Sequence, residues 1–389
     1  MLKNKRILIG VTGGIAIYKV LDLISRLKKL GAELDVIMTS AATELVSPIT
    51  FQTMARTKVH TEMFVESSDY SVEHIALAER CDFALIAPAS ANTIAKVAHG
   101  IADNLLTTTI LACNKPIIFA TAMNVNMYNN VVTQENISIL KDRGFHFIDC
   151  EEGFLACNTF GKGRMAEPVQ IVDYLESFST EKDLVGKSIL VTAGPTIERI
   201  DPVRFISNDS SGKMGYSIAK AARNRGANVT LISGPTKLDK INGIKIIDIV
   251  SANDLFSAIE SNFEGSDVLI MSAAPADFRV INSADKKMKS SKVPVIKLEK
   301  NKDIISHFAS MKGNKKIIGF AAETDNLIEN AERKLINKNL DYIIANDVSQ
   351  PGAGFNVDTN IATIISKDQK IELPLMSKFD LANKILDLI

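Results

Sequence analysis

Residues 5–16 read KRILIGVTGGIA and residues 187–198 read KSILVTAGPTIE. Each is a short β-rich run that enters a glycine turn and leads into a helical pattern, the way an α/β nucleotide-type domain often begins. The same opening used twice predicts two domains, and 389 residues are comfortable for two. Between the openings lies ESFSTEKDLVGK (176–187), polar and poor in bulky apolar residues. A boundary is expected near residue 180, giving domains over 1–180 and 186–389.

Working outward, strand and helix patterns alternate in both halves. IYKVLDLISRLKKLG has apolar residues at helical spacing and ends on Gly31, while ELDVIMT, DFALIAP and KPIIFAT are continuous apolar runs. Such runs mark strands buried on both faces of a parallel sheet. The second half repeats the pattern with NVTLIS, KIIDIV, DVLIMSAA, KIIGFAAE and DYIIAND. The expected fold is therefore α/β, two doubly wound, mostly parallel Rossmann-like sheets, with ligands at the carboxyl ends of the strands.

Composition narrows the class. Hydrophobic residues make up 46%, charged residues 23%, and the formal net charge is zero. No bulk field then recruits nucleic acid or an anionic membrane. Four cysteines without a C-x-x-C pair predict neither a disulfide framework nor a zinc knuckle, and a reducing cytoplasm fits. No apolar run is long enough for a signal peptide or a membrane span.

The informative residues follow the strands. Gly13-Gly14 offers amides and a helix start to a phosphate, although glycine turns also serve merely to bend a chain. Thr39-Ser40 adds hydroxyls. PASANT (88–93) puts Ser90, Asn92 and Thr93 at a helix start, where simple N-capping is the competing reading. AMNVNMY (122–128) supplies Asn124 and Asn126. Four polar strand ends in a row favour a shared polar ligand over four unrelated caps. His74, one of five histidines, reads as a helix-start residue, either a cap or an acid/base group. GFLACNTFGKGRMAEP (153–168) is glycine-rich, without clear periodicity, and holds Cys157.

VTGGIAIYK, SVEHIAL, PASANT, AMNVNMY and LACNTFGKGRMAEP occur in this order over roughly residues 7–168. Together they resemble the homo-oligomeric flavin-containing cysteine decarboxylases. More closely, they are similar to the decarboxylase half of the bifunctional phosphopantothenoylcysteine decarboxylase/phosphopantothenate–cysteine ligase family of coenzyme A biosynthesis. The resemblance implies FMN held by Gly13, Gly14, Ser40, Ser90, Asn92 and Thr93, His74 as active-site base or orienting group, and Asn124 on the substrate carboxylate. It implies Cys157 as proton donor to the ene-thiol left after carbon dioxide departs; an ordinary thiol, with a pKa of about 8.5, is mostly protonated at neutral pH. Arg164 is implied to hold the flap or the substrate phosphate. The family commonly has Gly where this chain has Asn158, a residue that tolerates left-handed backbone. Cys81, Cys113 and Cys150 read as packing residues.

In the second half, TAGPTIERIDPVRFISNDSSGKMGYSIA (192–219) is the densest polar run, and Ser210, Ser211, Gly212 and Lys213 open a helix. The spacing is neither a Walker A loop nor a dinucleotide fingerprint. KKMKSSK (286–292) is a lysine loop, and lysine loops are usually just solvated. Lys334 and Lys338, four apart, share a helix face and reach either one polyanion or water. With AAPADF, GFAAET and ANDVS, these stretches resemble the ligase half of the same family over roughly 187–389. That implies CTP and Mg2+, an acyl-cytidylate of 4'-phosphopantothenate, and displacement of CMP by the amine of L-cysteine. By motif, Asn208 would hold the acyl-cytidylate and Lys287 would stabilise charge on the α-phosphate. Asp277 would meet the CTP ribose or the metal, Ala273 and Phe320 would form the cytosine slot, and Lys334 and Lys338 would bind the triphosphate. Ser290 stands where the family commonly has a further lysine, which weakens the assignment of Lys289 to CTP.

The resemblance also implies a homo-oligomer, flavin-domain trimers joined by ligase-domain dimers into a dodecamer. A competing reading keeps only the ligase, with a regulatory flavin-binding amino-terminal domain. A nicotinamide oxidoreductase lacks the required glycine fingerprint.

Overall fold

The residues RILIGV of Arg6–Val11 form β1 with all but the first position buried. Ile7, Ile9 and Val11 enter one apolar cluster and Leu8 another, so the strand is covered on both faces. A parallel strand whose backbone is fully paired and whose side chains meet helices on both sides has this composition. The computed structural model describes residues 1–64, 72–154, 160–288, 295–323, 326–347, 354 and 356–389. The chain divides into two compact units, Met1–Thr180 and Glu181–Ile389.

In the first unit β1 is followed by α1 (Ile17–Lys29), β2 (Glu33–Met38), α2 (Ser40–Thr43), α3 (Pro48–Ala55) and β3 (Val59–His60). Next come α4 (Glu73–Arg80), β4 (Phe83–Ala89), α5 (Ala91–Ala98), α6 (Leu105–Ala112), β5 (Ile117–Thr121), α7 (Val125–Asn129), α8 (Val131–Asp142) and β6 (His146–Ile148). A hairpin of β7 (Glu151–Phe154) and β8 (Phe160–Arg164) precedes α9 (Pro168–Phe178). The main sheet is parallel, in the order β3-β2-β1-β4-β5-β6. Chain direction across the sheet therefore reverses between β1 and β4, the crevice where ligands of open α/β sheets bind. Helix α1 seals one face by burying Ile17, Val20, Leu23, Ile24 and Leu27, an i, i+3, i+4, i+7 stripe.

The second unit runs β9 (Ser188–Ala193), β10 (Ile197–Arg199), β11 (Phe205–Ser207), α10 (Lys213–Asn224), β12 (Asn228–Ser233), β13 (Lys245–Asp248), α11 (Ala252–Phe263) and β14 (Val268–Met271). It continues with β15 (Phe278–Val280), β16 (Leu298–Lys300), α12 (Ile304–Ser310), β17 (Lys316–Glu323), α13 (Leu327–Asn337), β18 (Tyr342–Asp347), β19 (Thr359–Ile365), β20 (Lys370–Ser377) and α14 (Lys378–Leu386). Its sheet order is β13-β12-β9-β14-β17-β18-β19-β20, parallel up to β18 and antiparallel beyond. The reversal falls between β9 and β14. Two antiparallel ribbons, β10–β11 and β15–β16, stand outside the sheet.

The glycine-rich stretch around 153–168, expected as a loop, is instead built on the hairpin β7–β8. Its residues alternate poorly because Gly153, Gly161 and Gly163 bring the backbone close to neighbours. A side chain at Gly161 would meet Val125 at 2.7 Å, and Gly163, at φ 146°, lies against the Met123 carbonyl. The hairpin thereby sits on the loop that carries Asn124, with Met123 N donating to Gly163 O at 3.0 Å.

Candidate active sites

In the first unit the ends of β1 and β4 are stitched together. The Thr12 hydroxyl donates to the Pro88 carbonyl at 2.5 Å and accepts from Ser90 N at 3.2 Å. Gly13 follows, and a methyl there would lie 2.6 Å from that of Ala41 in α2. Gly14 has more room, 3.5 Å to the Pro88 ring. Helix α1 starts behind these glycines without a side-chain cap, Ile17 N donating back to Gly14 O at 2.9 Å and Lys19 N to Ala16 O at 3.0 Å. Beside them the buried Thr39 hydroxyl has no hydrogen-bond partner among the described residues. A buried orphan hydroxyl is costly unless a ligand completes it. Glycine cradle, uncapped helix and orphan hydroxyl together fit a phosphorylated polar cofactor such as a flavin nucleotide.

The other expected residues line up along the same carboxyl edge with different duties. Ser90 caps α5, accepting from Thr93 N at 3.3 Å, and its hydroxyl pairs with that of the buried Thr93 at 3.2 Å. The capping reading thus holds for these two, while Asn92 and Ser40 are exposed beside them. Asn124 caps α7, its side chain accepting from Asn126 N at 2.8 Å. His74 is half-buried in the first turn of α4. Its neighbour Glu73 fixes that turn to the carboxyl edge: Glu73 meets His60 Nδ1 at 2.6 Å and Lys58 Nζ at 3.2 Å. Burial pushes the Glu73 carboxyl up, and its contacts with His60 and Lys58 outweigh it and hold it below the usual range. Cys157, with Asn158, lies outside the described residues.

Sequence reasoning missed the anchor of the hairpin. Lys19 in α1, only 6% exposed, donates to the Met165 carbonyl at 3.0 Å and to Glu167 at 2.9 Å. Arg164 pairs with the same carboxylate. A buried ammonium so placed ties the helix behind the glycine turn to the trailing arm of the hairpin. Its signal in the sequence was a lysine at an otherwise apolar helical position.

In the second unit a cavity of about 770 Å³ is lined by residues of β14, β17 and β18 and of the loops beside them. Its rim is again stitched: Ala273 N donates to the Thr192 hydroxyl at 3.1 Å, Ala276 N to the Thr196 hydroxyl at 2.9 Å, and Ala274 N to Gly194 O at 2.9 Å. Asn208 donates its amide to the Ala274 and Pro275 carbonyls at 3.0 and 3.2 Å. Gly212 starts α10 at φ 79°, and a Cβ there would lie only 2.6 Å from the Thr236 methyl, so glycine suits the turn. Asn208, Ala273, Asp277, Phe320, Lys334 and Lys338 all line the cavity, as expected.

Lys213, Lys300, Lys302 and Lys378 line it as well, making six lysines against Asp209, Asp277 and Asp303 among the described residues. That excess of positive charge fits a polyphosphate, and Asp277 offers a carboxylate to a magnesium ion that would take its remaining ligands from phosphate and water. Several lysines already have partners. Lys338 pairs with Asp303 at 3.0 Å and Lys213 with Asp358 at 2.7 Å. Lys378 donates to the carbonyls of Val357 and Gly354. Lys378 is 6% exposed, and burial with the neighbouring Lys213 lowers its ammonium to about 8, Asp358 opposing.

Lys287 is exposed and is not among the residues lining the cavity. Its loop is held by Asp201, 1% exposed, which accepts from Met288 N at 3.1 Å and from Val203 N and Arg204 N at 2.8 Å each. Lys289 and Ser290 lie outside the described residues. Burial pushes the Asp201 carboxyl up, yet these amides and the Arg204 guanidinium hold it down at about 2.

Known proteins match both units of the chain. The Flavoprotein family matches residues 1–180, and the DNA/pantothenate metabolism flavoprotein C-terminal domain matches residues 184–389. The coenzyme A biosynthesis bifunctional protein CoaBC of Bacillus subtilis is 46% identical, over 99% of this chain and 97% of that protein. Its Escherichia coli K12 counterpart is 41% identical, over 99% and 97%. The crystal structure of the C-terminal domain of a coenzyme A biosynthesis bifunctional protein CoaBC matches at 44% identity and a TM-score of 0.46, covering 54% of this chain and 96% of that one.

Proposed function

This chain belongs to the family of bifunctional coenzyme A biosynthesis proteins CoaBC, a flavoprotein decarboxylase and a ligase in one chain, and on that premise we propose how its two units divide the work. The ligase is assigned to the unit Glu181–Ile389 and the decarboxylase to the unit Met1–Thr180. What supports the division is one crevice per unit, each at the strand-order reversal of its own sheet, with opposite equipment: a glycine cradle and orphan hydroxyl in the first, a lysine-lined cavity in the second.

In the ligase cavity the carboxylate of 4'-phosphopantothenate attacks the α-phosphate of CTP, and pyrophosphate leaves. The amine of L-cysteine then attacks the acyl carbon and expels CMP. Lys334 and Lys338 hold the triphosphate, and Asp277 holds Mg2+. Ala273 and Phe320 flank the base. Asn208 orients the acyl group from the rim it already braces. Lys287 and Lys289 act from the adjoining loop on the α-phosphate.

In the flavin unit Gly13, Gly14, Thr39, Ser40 and Ser90, with Asn92 and Thr93, hold FMN. When bound, FMN supplies the two-electron redox chemistry that lets the cysteinyl carboxylate leave as carbon dioxide. His74 moves or orients a proton at the substrate, Asn124 binds the departing carboxylate, and Cys157 returns a proton to carbon, yielding 4'-phosphopantetheine. The hairpin braced by Lys19 and Glu167 excludes water above them.

No helix among the described residues is long and apolar enough to cross a membrane, and the cytoplasm is the proposed compartment. Exposed Ile15, Tyr18, Phe154 and Phe160 lie around the flavin crevice and support a homo-oligomer, with the dodecamer of trimers and dimers as the specific form. The test supplies the full chain with phosphopantothenate, cysteine and CTP and follows carbon dioxide and pyrophosphate separately. Carbon dioxide and pyrophosphate should appear in equal amounts with a yellow protein; pyrophosphate without carbon dioxide would reduce the first unit to a regulatory flavin domain.

A further inference from the structure

Two thiols stand together at the edge of the flavin unit's sheet opposite its crevice. Cys81 ends α4 and Cys113 ends α6, each with extended backbone as the chain turns toward β4 and β5. These strands are neighbours, with Ala84 opposite Ile117, so the turns leading into them are neighbours as well. Thirty-two residues separate the cysteines in sequence, yet their sulfurs are 3.9 Å apart. Both also reach the Ala78 carbonyl, Cys81 at 3.4 Å and Cys113 at 3.8 Å. That spacing is van der Waals contact between sulfurs, roughly 2 Å longer than a disulfide bond.

The two thiols are not equivalent. Cys81 is 2% exposed, whereas Cys113 is only partly covered. The hydrogen bond from Cys81 lowers the Cys113 thiol, aided by Lys115 and opposed by burial; the same contact and burial raise Cys81. Attack needs an accessible thiolate, and bridging needs a second thiol waiting behind it. The pair has this asymmetry, which two cysteines placed only to fill space would not need.

We propose that Cys81 and Cys113 are a redox dithiol that a small-molecule disulfide converts to an intrachain disulfide. The Cys113 thiolate attacks one sulfur of the small disulfide, forms a mixed disulfide and expels one thiol. The Cys81 sulfur then attacks Sγ of Cys113, loses its proton and expels the second thiol. The two cysteines give up two protons and two electrons, and the small disulfide leaves as two thiols. The bridge fastens the end of α4 to α6, and α4 carries His74 at its other end. Oxidation should therefore be felt in the flavin unit and not in the lysine-lined cavity.

The probe is oxidised glutathione applied to the folded full chain, with Cys157→Ser as a background that removes the thiol of the hairpin. Intact mass and peptide mapping read the outcome without using either enzyme activity. The mass should fall by two hydrogens, a linked peptide should join residues 81 and 113, and dithiothreitol should reverse both. Cys81→Ser should stop at one glutathione adduct on Cys113. Cys113→Ser should leave Cys81 unmodified until the chain is unfolded. A stable adduct on Cys113 with Cys81 still free in the unsubstituted pair would overturn the proposal, and so would two unreacted thiols in the folded chain.

Discussion

Replacing Gly13 and Gly14 one at a time by alanine should separate a glycine that shapes the flavin crevice from one that merely lies beside it. A methyl on Gly13 would sit 2.6 Å from the methyl of Ala41 and 3.1 Å from its carbonyl carbon and oxygen. Carbon atoms rest at about 3.5–4.0 Å, so α2 has to retreat by roughly 1 Å. Ser40, the first residue of α2, moves with it, while Thr39 N stays tied to Val11 O of β1 at 3.0 Å, so the turn between them is distorted. Overpacking of this kind costs about 1–3 kcal/mol. If the retreat is lost from cofactor binding, affinity falls roughly 5- to 150-fold. The Gly14 methyl would meet Pro88 at 3.5 and 3.8 Å, an ordinary contact, and should leave affinity within about twofold. Titrating FMN into the cofactor-free chain, with flavin fluorescence as signal and circular dichroism as a folding control, reads the difference. Equal affinity of the Gly13→Ala chain and the original, or equal loss in both variants, would refute the cradle.

His74→Asn should abolish carbon dioxide release while the same chain still forms pyrophosphate; a parallel fall in both would sink the division between units. Asn208→Asp turns a donor toward the Ala274 and Pro275 carbonyls into a repelling carboxylate, and should slow amide formation about 10²–10³-fold while activation persists. Single turnovers with labelled CTP, with and without cysteine, decide this, and the same assay on Lys287→Gln should show little acyl-cytidylate; abundant intermediate would remove that lysine from the activation step. Lys378 ionises at about 8 in the fold and near 10.4 when unfolded, so between these values the unfolded chain holds the extra proton. Urea midpoints of the full chain should accordingly rise as pH goes from about 8 to about 10.5, and Lys378→Met should flatten that rise; an unchanged slope would mean another group is responsible.

The buried strands were legible because a parallel strand covered on both faces must be apolar at nearly every position, as in RILIGV and SILVTA. Glycines and hydroxyls after those strands were legible because strand ends are where such sheets bind ligands. The hairpin 151–164 was not, since glycine close approach to Met123 and Val125 replaces alternation as its organising principle. Nor were β19 and the edge strand β20, the antiparallel end of the sheet, with much weaker apolar continuity. Lys378 joins Lys213 only through the closing of the sheet, across 165 positions, and no local pattern announces it. The cysteine pair was hidden for the same reason: two helix ends read separately look like two packing residues. Lys287 shows the reverse case, a family motif whose residue stands outside the cavity that the other motifs build.

The internal partners of the cavity lysines bear on how the protein responds to salt. Six unpaired ammonium groups would make polyphosphate capture steeply dependent on ionic strength, because each would shed a mobile ion from solution on binding. Asp303, Asp358 and the Gly354 and Val357 carbonyls instead act as tethered place-holders for Lys338, Lys213 and Lys378. An arriving phosphate trades places with a group that stays attached to the protein, so fewer dissolved ions change hands. Capture should hold up as salt rises, and the cavity keeps its shape between turnovers without drawing in stray anions.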